Sequence, residues 1–540
     1  MRNGFKVGPN YSRPAASVAD RWIDANDPNV RSVPANDAAW WRTFHDPVLD
    51  SLVQTAYRQN LTLRVAGLRI LEARAQRAIA AGELFPQSQQ AFGDYVRTGL
   101  SKKVSNAPPT RFFDEWTTGA GLAWELDFWG RFRRAIEAAD ANLDAQIENY
   151  DDALVLLLAE VARSYVDLRT AEQRLQYAAK NVVIQVGSLK LADLKYDNGR
   201  GIVTRLDVTQ AQSSLSQTQA TIPPLEATRR QAANQLCTLL GMPPGSLDET
   251  LDDPQVTKAL EEMSAVLKKP DLKEVQAIRA RAVEKVIPAA PPDVAVGIPA
   301  DLLRRRPDVL RAECEVAAQS AQIGIAAAEL YPHFSITGTI FLDAAEFKDL
   351  FDSGSVAGSV GPSFRWNILN YGRLINNVRV QDARFEQLAV QYQNVVLSAN
   401  AEAENALVSF LKAQQQVKHL KDSTDAAGQS LGLVEAQYDA GKTDFNRVFN
   451  VQQLLTQQED LLAVAQGTVA KSLIQLYKAL GGGWQIRLGG PAPEPDAAAG
   501  PGVEPVPAPA PVKPAPPAAA PGAPRRAAVR SPGVLSYFFP

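Results

Sequence analysis

The side chains that most often carry catalysis or bind metals are sparse in this sequence. The three histidines, His45, His333 and His419, lie far apart and on unrelated predicted elements. A catalytic or metal site needs several such groups on converging elements. Neither a Ser/His/Asp nor a Cys/His constellation can be assembled. We therefore predict ordinary surface or loop roles for the histidines, no enzymatic activity and no cofactor.

Three other motifs have residue types that could do chemistry. Residues 198–201, Asn-Gly-Arg-Gly, resemble a phosphate-binding loop, but they lack a following Lys-Ser/Thr and a preceding strand, which favours a turn. The arginine run at 304–306 could bind an anion, although a solvated helix start before Pro307 is favoured. Cys237 and Cys314 form no CxxC pair, and we expect both to be ordinary buried residues.

Composition excludes several classes of protein. The 540 residues include 56 Lys and Arg against 59 Asp and Glu, so nothing indicates nucleic-acid binding. No window reaches the ~18 apolar residues of a membrane helix. The N-terminus has no apolar secretory core, and no cysteine precedes Cys237. As written, the chain predicts either a cytoplasmic protein or a start assigned downstream of the true one.

Hydrophobic periodicity divides the chain into five segments. Two of them predict the same succession of a helix, a β-hairpin and a long helix pair joined by a turn. The segments are an extended stretch (1–46), the first unit (47–241, hairpin 87–128, turn 196–201), a Pro-, Asp- and Lys-rich insertion (242–300), the second unit (301–484, hairpin 333–369, turn 438–444) and an Ala/Pro-rich tail predicted to be disordered (485–540).

Three local patterns refine these units. One helix is predicted from Pro47 to about Ala81, and a kink or break is predicted at the adjacent prolines 223 and 224. A strand pattern over 356–368 passes directly into a helical pattern at about 370–373. That helical pattern continues for roughly 65 residues, or on the order of 100 Å.

The two units are copies of each other, displaced by 242 residues. Apolar residues at seven-residue spacing in both copies predict coiled coils. The matched residues, first copy then second, are Trp124 and Trp366, Gly130 and Gly372, Arg131 and Arg373, Tyr196 and Tyr438, and Gly199 and Gly441.

Two hairpins give four strands per chain. Four strands leave open edges, and an open-edged sheet with an apolar outer face cannot lie in lipid, since spanning barrels begin at about eight strands. Several chains must therefore pool their strands. The long helices would continue such a barrel as a tube.

Four motifs together resemble a known family. They are Val-Gly-Pro-Asn-Tyr at 7–11, Trp-Trp at 40–41 with Phe-His-Asp-Pro at 44–47, the segment 297–309, and both Tyr-x-x-Gly turns. Residues 7–484 resemble the TolC-like outer membrane factors, in the efflux lipoprotein branch typified by OprM and NodT. The resemblance implies an α+β membrane protein. Its homotrimer would form a twelve-stranded outer membrane β-barrel continued by an α-helical coiled-coil periplasmic tunnel, with an equatorial region from the insertion and termini.

The resemblance also implies a function and partners. It predicts a passive exit duct for drugs or other small toxic molecules, in the lipid bilayer, with a periplasmic membrane fusion adaptor and an inner membrane pump of the resistance-nodulation-division class. A duct for protein or oligosaccharide secretion stays open as an alternative, and so does a cytoplasmic coiled-coil scaffold. The branch normally has a lipidated cysteine just before the Val-Gly-Pro motif, where this chain has Phe5.

The resemblance assigns Tyr196, Gly199, Tyr438 and Gly441 to a periplasmic tip that contacts the adaptor and opens like an iris. Relatives have acidic pore constrictions six and nine residues after the second turn glycine. The residues expected at or near that constriction here are Arg447 and Asn450 themselves, together with Asp444 and Asp207.

The copied Trp, Gly and Arg residues would form the junction between barrel and tunnel. In the first unit these are Trp124, Gly130 and Arg131. In the second, Trp366 is expected at the membrane interface, Gly372 at the bend and Arg373 after it.

Overall fold

Two pairs of long helices and one sheet make up most of the described chain. The computed structural model describes residues 6–31, 33, 37–103, 109–197, 203–245, 247, 251 and 253–489. One compact unit runs to Ile486 and a second begins at Arg487. The helices are α1 Pro47–Gln59, α2 Leu61–Gly82, α3 Arg131–Asp197, α4 Arg205–Leu239, α5 Pro254–Lys268, α6 Leu272–Ala280, α7 Leu302–Arg305, α8 Pro307–Ala328, α9 Arg373–Asp439, α10 Phe445–Ala479 and α11 Ile486–Gly489.

The copied units give helices of equal length. Both α3 and α9 have 67 residues, and both α4 and α10 have 35. At about 1.5 Å per residue, each longer helix spans roughly 100 Å. Among the helices in the described ranges, none combines the length and the apolar composition that crossing a membrane requires.

The strands are β1 Val30–Arg31, β2 Ser88–Gly99, β3 Phe112–Leu126, β4 Val294–Ala295, β5 His333–Ala344 and β6 Val356–Arg365. Four of them form one antiparallel sheet in the order β2-β3-β5-β6, and β1 pairs in parallel with β4. The pairing of β3 with β5 joins the two hairpins, with Trp124 opposite Ile336. The outer edges of β2 and β6 have no strand partner within the described residues.

The predicted helix from Pro47 is in fact two helices. Asn60 has an extended backbone, with ψ at 124°, and separates α1 from α2. Its side-chain oxygen accepts a hydrogen bond from the N–H of Leu63 at 2.8 Å, so it caps the second helix. Asparagine is preferred at this N-cap position because its short side chain reaches the free N–H groups of the first turn.

Of the kink or break predicted at Pro223 and Pro224, the break does not occur, since α4 runs through both. The prolines lie on the exposed face of α4, while Ile222 and Leu225 are buried. Water can reach the carbonyls that lose an N–H partner there, and the apolar packing of the opposite face holds the helix together.

The strand predicted over 356–368 is shorter than expected. β6 ends at Arg365, and an irregular segment at 366–372 separates it from α9. The apolar alternation continues past the last strand pairing, of His333 with Arg365. Periodicity reports which side chains face lipid or core, whereas a strand also needs a hydrogen-bonding partner.

Helix α3 lies at the centre of the packing. Its residues from Leu154 to Val186 are buried around most of the helix. The largest apolar cluster joins α3 to α1, α4, α9 and α10 around Trp40 and Trp41, which are 1% and 2% exposed. Both repeats are therefore assembled on the long helix of the first.

Candidate functional site: the hairpin turns and the sheet-to-helix junction

A glycine in the left-handed conformation closes the turn between α9 and α10. Gly441 has a φ of +70°, which residues with a side chain rarely adopt. Its N–H donates to the carbonyl of Tyr438 at 3.0 Å, and the N–H of Lys442 donates to that of Gln437 at 2.8 Å. These bonds pair carbonyls that the helix end would otherwise leave free. Gly199, the predicted counterpart, lies outside the described residues.

Tyr438 holds this turn against the first repeat. Its side chain is 4% exposed, and its ring packs edge-on against Phe445. The ammonium of Lys195, near the end of α3, lies 3.8 Å from the ring centroid and donates to the Tyr438 carbonyl at 3.1 Å. Burial, with Asp207 and Asp439 adding to it, raises the pKa of Tyr438 to about 12. The phenol therefore stays uncharged at neutral pH.

Tyr196, the counterpart of Tyr438, lies in different surroundings. It is 44% exposed, although the two tyrosines occupy the same place in the repeat. In this conformation Tyr196 is the tyrosine that a partner protein could reach, whereas Tyr438 is an internal support of its turn.

The two carboxylates expected near the constriction cap helices. Asp444 accepts a hydrogen bond from the backbone N–H of Arg447 at 3.1 Å, at the start of α10. Asp207 accepts from the N–H and the hydroxyl of Thr204, at 2.6 and 2.9 Å, at the start of α4. Both satisfy groups that a helix start leaves free. Arg447 and Asn450 are exposed, and within the described ranges no carboxylate pairs with Arg447.

A row of polar contacts joins α3 to the second helical hairpin, which is formed by α9 and α10, at seven-residue intervals. Seven residues are about two helical turns, so the row follows one side of α3. The coiled-coil prediction rested on apolar residues at heptad spacing. The polar residues at the same spacing were the sequence signal for this row of contacts. The contacts are Asp167 with Lys471 (2.8 Å), Arg174 with Asp460 (2.6 Å), Asn181 with Glu459 (2.7 Å), Ser188 with Gln452 (2.7 Å) and Lys195 with the Tyr438 carbonyl (3.1 Å).

Replacing Glu459 with Gln is expected to stabilise the protein at alkaline pH. Glu459 is 9% exposed, and burial raises its pKa, although the hydrogen bond from Asn181 and the charge of Lys180 oppose this. A carboxyl whose folded pKa is raised stabilises the fold below its unfolded pKa, and this contribution is lost as pH rises through the folded pKa. The thermal midpoint of Glu459→Gln should therefore exceed that of the native protein at about pH 8 and match it at about pH 4.

Asp460→Asn is the matched control, because Asp460 is the next residue and is 43% exposed in its pair with Arg174. Loss of that pair should lower the midpoint slightly or leave it unchanged at about pH 8. If Glu459→Gln had a lower midpoint than the native protein at about pH 8, a destabilising buried charge at Glu459 would be ruled out.

The junction tryptophans make the same hydrogen bond in both repeats. The indole N–H of Trp124 donates to the Leu84 carbonyl at 3.1 Å, and that of Trp366 donates to the Leu330 carbonyl at 3.0 Å. Leu84 and Leu330 follow α2 and α8, so each indole fixes the end of a short helix to the sheet. Trp366 is 50% exposed, and its expected place at a membrane interface stays a prediction.

A left-handed glycine precedes each long helix. Gly130 and Gly372 have φ values of +82° and +79°. A Cβ atom at Gly130 would lie 2.9 Å from the Cα atom of Lys6, where the N-terminal segment crosses. Gly372 has room for a Cβ atom, with Asn376 nearest at 3.5 Å. Glycine is required at the first position by conformation and by space, and at the second by conformation alone.

Arg131 joins the repeats, whereas Arg373 does not. Arg131 donates to Glu125 at 3.1 Å and to Glu329 at 3.2 Å. His333 belongs to the same group, since its Nδ1 lies 2.9 Å from Glu125. Arg373 is exposed and has no ion pair within the described part of the chain. In that part, no three His, Cys, Asp or Glu side chains are grouped as a metal site would require.

The expectation of a solvated arginine run is wrong for Arg306. This residue is 8% exposed, and its guanidinium donates to the Ala479 carbonyl at 2.7 Å. It also donates to Asp308 at 2.8 Å and to Glu402 at 2.9 Å. The carboxylates and the carbonyl at the end of α10 offset the cost of burying the charge. Arg306 therefore binds the start of α8 to both long helices of the second repeat.

Comparison with known proteins agrees with this geometry. Residues 52–242 and 298–482 match the family described as "Outer membrane efflux protein". "Nodulation protein T" of Rhizobium leguminosarum bv. trifolii is 30% identical, over 90% of this chain and 96% of its own. "Pyoverdine export outer membrane protein OpmQ" of Pseudomonas putida is 28% identical, over 86% and 92%.

Among solved structures, the outer-membrane channel OprN superposes with a TM-score of 0.76. It is 30% identical in sequence, and the match covers 89% of this chain and 99% of that one. These similarities confirm the predicted α+β fold of an outer membrane channel with a periplasmic extension. The chain belongs to the outer membrane efflux protein family.

Proposed function

We propose that the protein is the passive outer membrane exit duct of a tripartite efflux pump and carries drugs or other small toxic molecules. Three chains pool their strands in the lipid bilayer, and their long helix pairs form the periplasmic tunnel. A periplasmic membrane fusion adaptor contacts the hairpin turns and opens them. An inner membrane pump of the resistance-nodulation-division class supplies the energy.

The observation that carries this proposal is the contact between the two helical hairpins, α3–α4 and α9–α10, near their turns. Lys195 and Tyr438 join the ends of α3 and α9, each roughly 100 Å long, at the opposite end from the sheet. A tube built from such hairpins has one narrow end, where all its turns meet. Restraints at this end can control passage through the whole tube.

The sheet supports the assembly of several chains. Its edges, β2 and β6, are unpaired within the described residues. Large apolar side chains are exposed on its strands, including Val360 at 81% and Phe364 at 69%. Pairing these edges with other copies closes the sheet, and lipid then covers the apolar face.

Deleting the gene should raise the steady-state accumulation of a fluorescent dye such as ethidium, and the native chain should restore the lower level. Deleting the adaptor gene should give the same increase, without a further increase in the double deletion. Unchanged accumulation of dyes, detergents and antibiotics in the deletion strain would contradict efflux of small toxic molecules.

Reversing the charge of Arg447 should increase the preference of the channel for cations. The side chain is exposed beside the turn, and three copies would place a ring of positive charge at the narrow end. Such rings alter the barrier for ions of each sign. In planar bilayers with a salt gradient, Arg447→Asp should shift the reversal potential toward the cation value.

Arg205→Asp is the control for this experiment, because it makes the same charge change at the start of α4, beside the other turn. It should shift the potential less. Equal shifts in both variants would indicate a general surface charge and refute a ring at Arg447.

A further inference from the structure

The insertion between the repeats reaches almost to the turns of the long hairpins. Helix α6 packs against α3 through Val275 and Ile278, both 7% exposed. A Cβ atom at Gly187 of α3 would lie 2.6 Å from a methyl group of Val275. The side chain of Val275 therefore packs directly against the α3 backbone at Gly187. Gly187 is ten residues before the end of α3, or about 15 Å along the helix.

From this position α6 contacts the second helical hairpin, α9–α10, through an ion pair. The guanidinium of Arg279 pairs with the carboxylate of Glu435 on α9. Gln452 of α10 donates to Glu435 at 3.3 Å and to Ser188 of α3 at 2.7 Å. The Glu435 side chain is 15% exposed and that of Arg279 is 38% exposed. The insertion and the second repeat thus meet at one carboxylate, and Gln452 connects this group to Ser188 of the first repeat.

Glu435 is well placed to restrain the turn. It precedes Tyr438 by three residues, so it lies about one helical turn from the contact with Lys195. A movement that carries the end of α9, with Glu435, away from α3 would separate Glu435 from Arg279, because α6 is held to α3 by buried apolar contacts. The ion pair would be lost during such a movement.

We propose that Arg279 and Glu435 form a latch that ties the insertion to the second hairpin and favours the closed duct. This proposal rests on the proposed function. The latch differs from the contacts between the hairpins themselves, since it gives the insertion a role in setting how readily the turns separate. Its residues position the gate and do not touch the transported molecule.

Breaking the latch should increase opening. In planar bilayers, Arg279→Ala and Glu435→Gln should each raise the time-averaged conductance about fivefold, as expected for the loss of a partly exposed ion pair. The double reversal, Arg279→Glu with Glu435→Arg, should return the conductance to within about twofold of the native value. Rescue by reversal distinguishes a charge interaction from a loss of packing.

Arg281→Ala is the matched control. Arg281 is two residues away and pairs with Glu262, also in the insertion. It should therefore leave the conductance unchanged. Native conductance in both latch variants, or an equal increase in Arg281→Ala, would overturn the latch. An absence of conductance from the native protein and from every variant, including both latch variants, would instead overturn the proposed function, so the two failures are distinguishable.

A tether provides a second test, in case the latch variants assemble poorly. The substitutions Arg279→Cys and Glu435→Cys, in a Cys237→Ala/Cys314→Ala background, would allow a cleavable bis-maleimide to join the two positions. The tether should lower the conductance below the native value, and cleavage should restore it. The same linker between positions 281 and 262 should have no effect. An unchanged conductance with the tether at 279 and 435 would overturn the proposal.

Discussion

Replacing Glu172 with Ala is expected to cost about 3–5 kcal/mol of stability, because it removes the carboxylate from a buried charge network. Glu172 is completely buried and accepts from Arg169 at 2.6 Å and from Arg229 at 3.0 Å. Burial raises the pKa of Glu172, and the two arginines offset part of this. Without the carboxylate, Arg169 would remain buried, and its nearest carboxylate would be that of Asp253, at 3.7 Å.

The network explains why the loss should be large. Arg169 also donates to the Leu251 carbonyl, and the Tyr165 hydroxyl donates to Asp46, which caps α1. The N-terminal segment, the insertion and both helices of the first repeat therefore meet here. Denaturant titration in detergent, followed by helical circular dichroism, measures the change.

Glu160→Ala, at a half-buried carboxylate of the same helix, is the control and should cost less than about 1 kcal/mol. Replacing Arg169, Glu172 and Arg229 together with Met, Leu and Met should be much less harmful than Glu172→Ala, since no charge would then stay buried. If the triple variant were the least stable, uncompensated burial would not be the cause.

Gly467→Val is expected to separate α10 from α3 and to cost about 3 kcal/mol. A Cβ atom at Gly467 would lie 2.2 Å from the Thr170 hydroxyl oxygen and 3.2 Å from the Thr170 Cβ atom. Thr170 is buried and is held in place by its hydrogen bond to the Val166 carbonyl. The helices must therefore move apart, which weakens the neighbouring polar seam. The same titration measures the loss.

A double-mutant cycle with Thr170→Ala isolates this contact. Thr170→Ala should recover at least about 1 kcal/mol in the Gly467→Val background. Gly428→Ala is the control, because a Cβ atom added at Gly428 would meet no neighbouring segment within 4 Å, and it should stabilise α9 by up to about 1 kcal/mol. Additive effects at 467 and 170 would contradict the close approach of the two helices.

Local features of the fold could be predicted from the sequence. The left-handed turn at Gly441 and the junction glycines follow from the conformational freedom of glycine. The strands follow from alternation, and the long helices from apolar residues at heptad spacing. Asn60 shows the limit of this reasoning, because a polar residue within a helical pattern does not reveal whether it caps a new helix.

Contacts between distant segments could not be predicted. Arg306 has the sequence signature of a solvated helix start, and only packing places it against Glu402 and Ala479. The latch pair, Arg279 and Glu435, is separated by 156 residues in the numbering and belongs to two different predicted segments. A single sequence does not show which of its residues are in contact when they lie so far apart in the numbering. The difference in solvent exposure between Tyr196 and Tyr438 has the same origin, since equivalent positions in the two repeats have different neighbours.

The most direct test of an outer membrane duct is electron microscopy of the protein purified in detergent from outer membranes. We predict three-fold symmetric particles with a barrel at one end and a helical tube about 100 Å long that narrows at the turns. Monomers that remain soluble without detergent, or particles without a central cavity along the tube, would contradict an outer membrane duct.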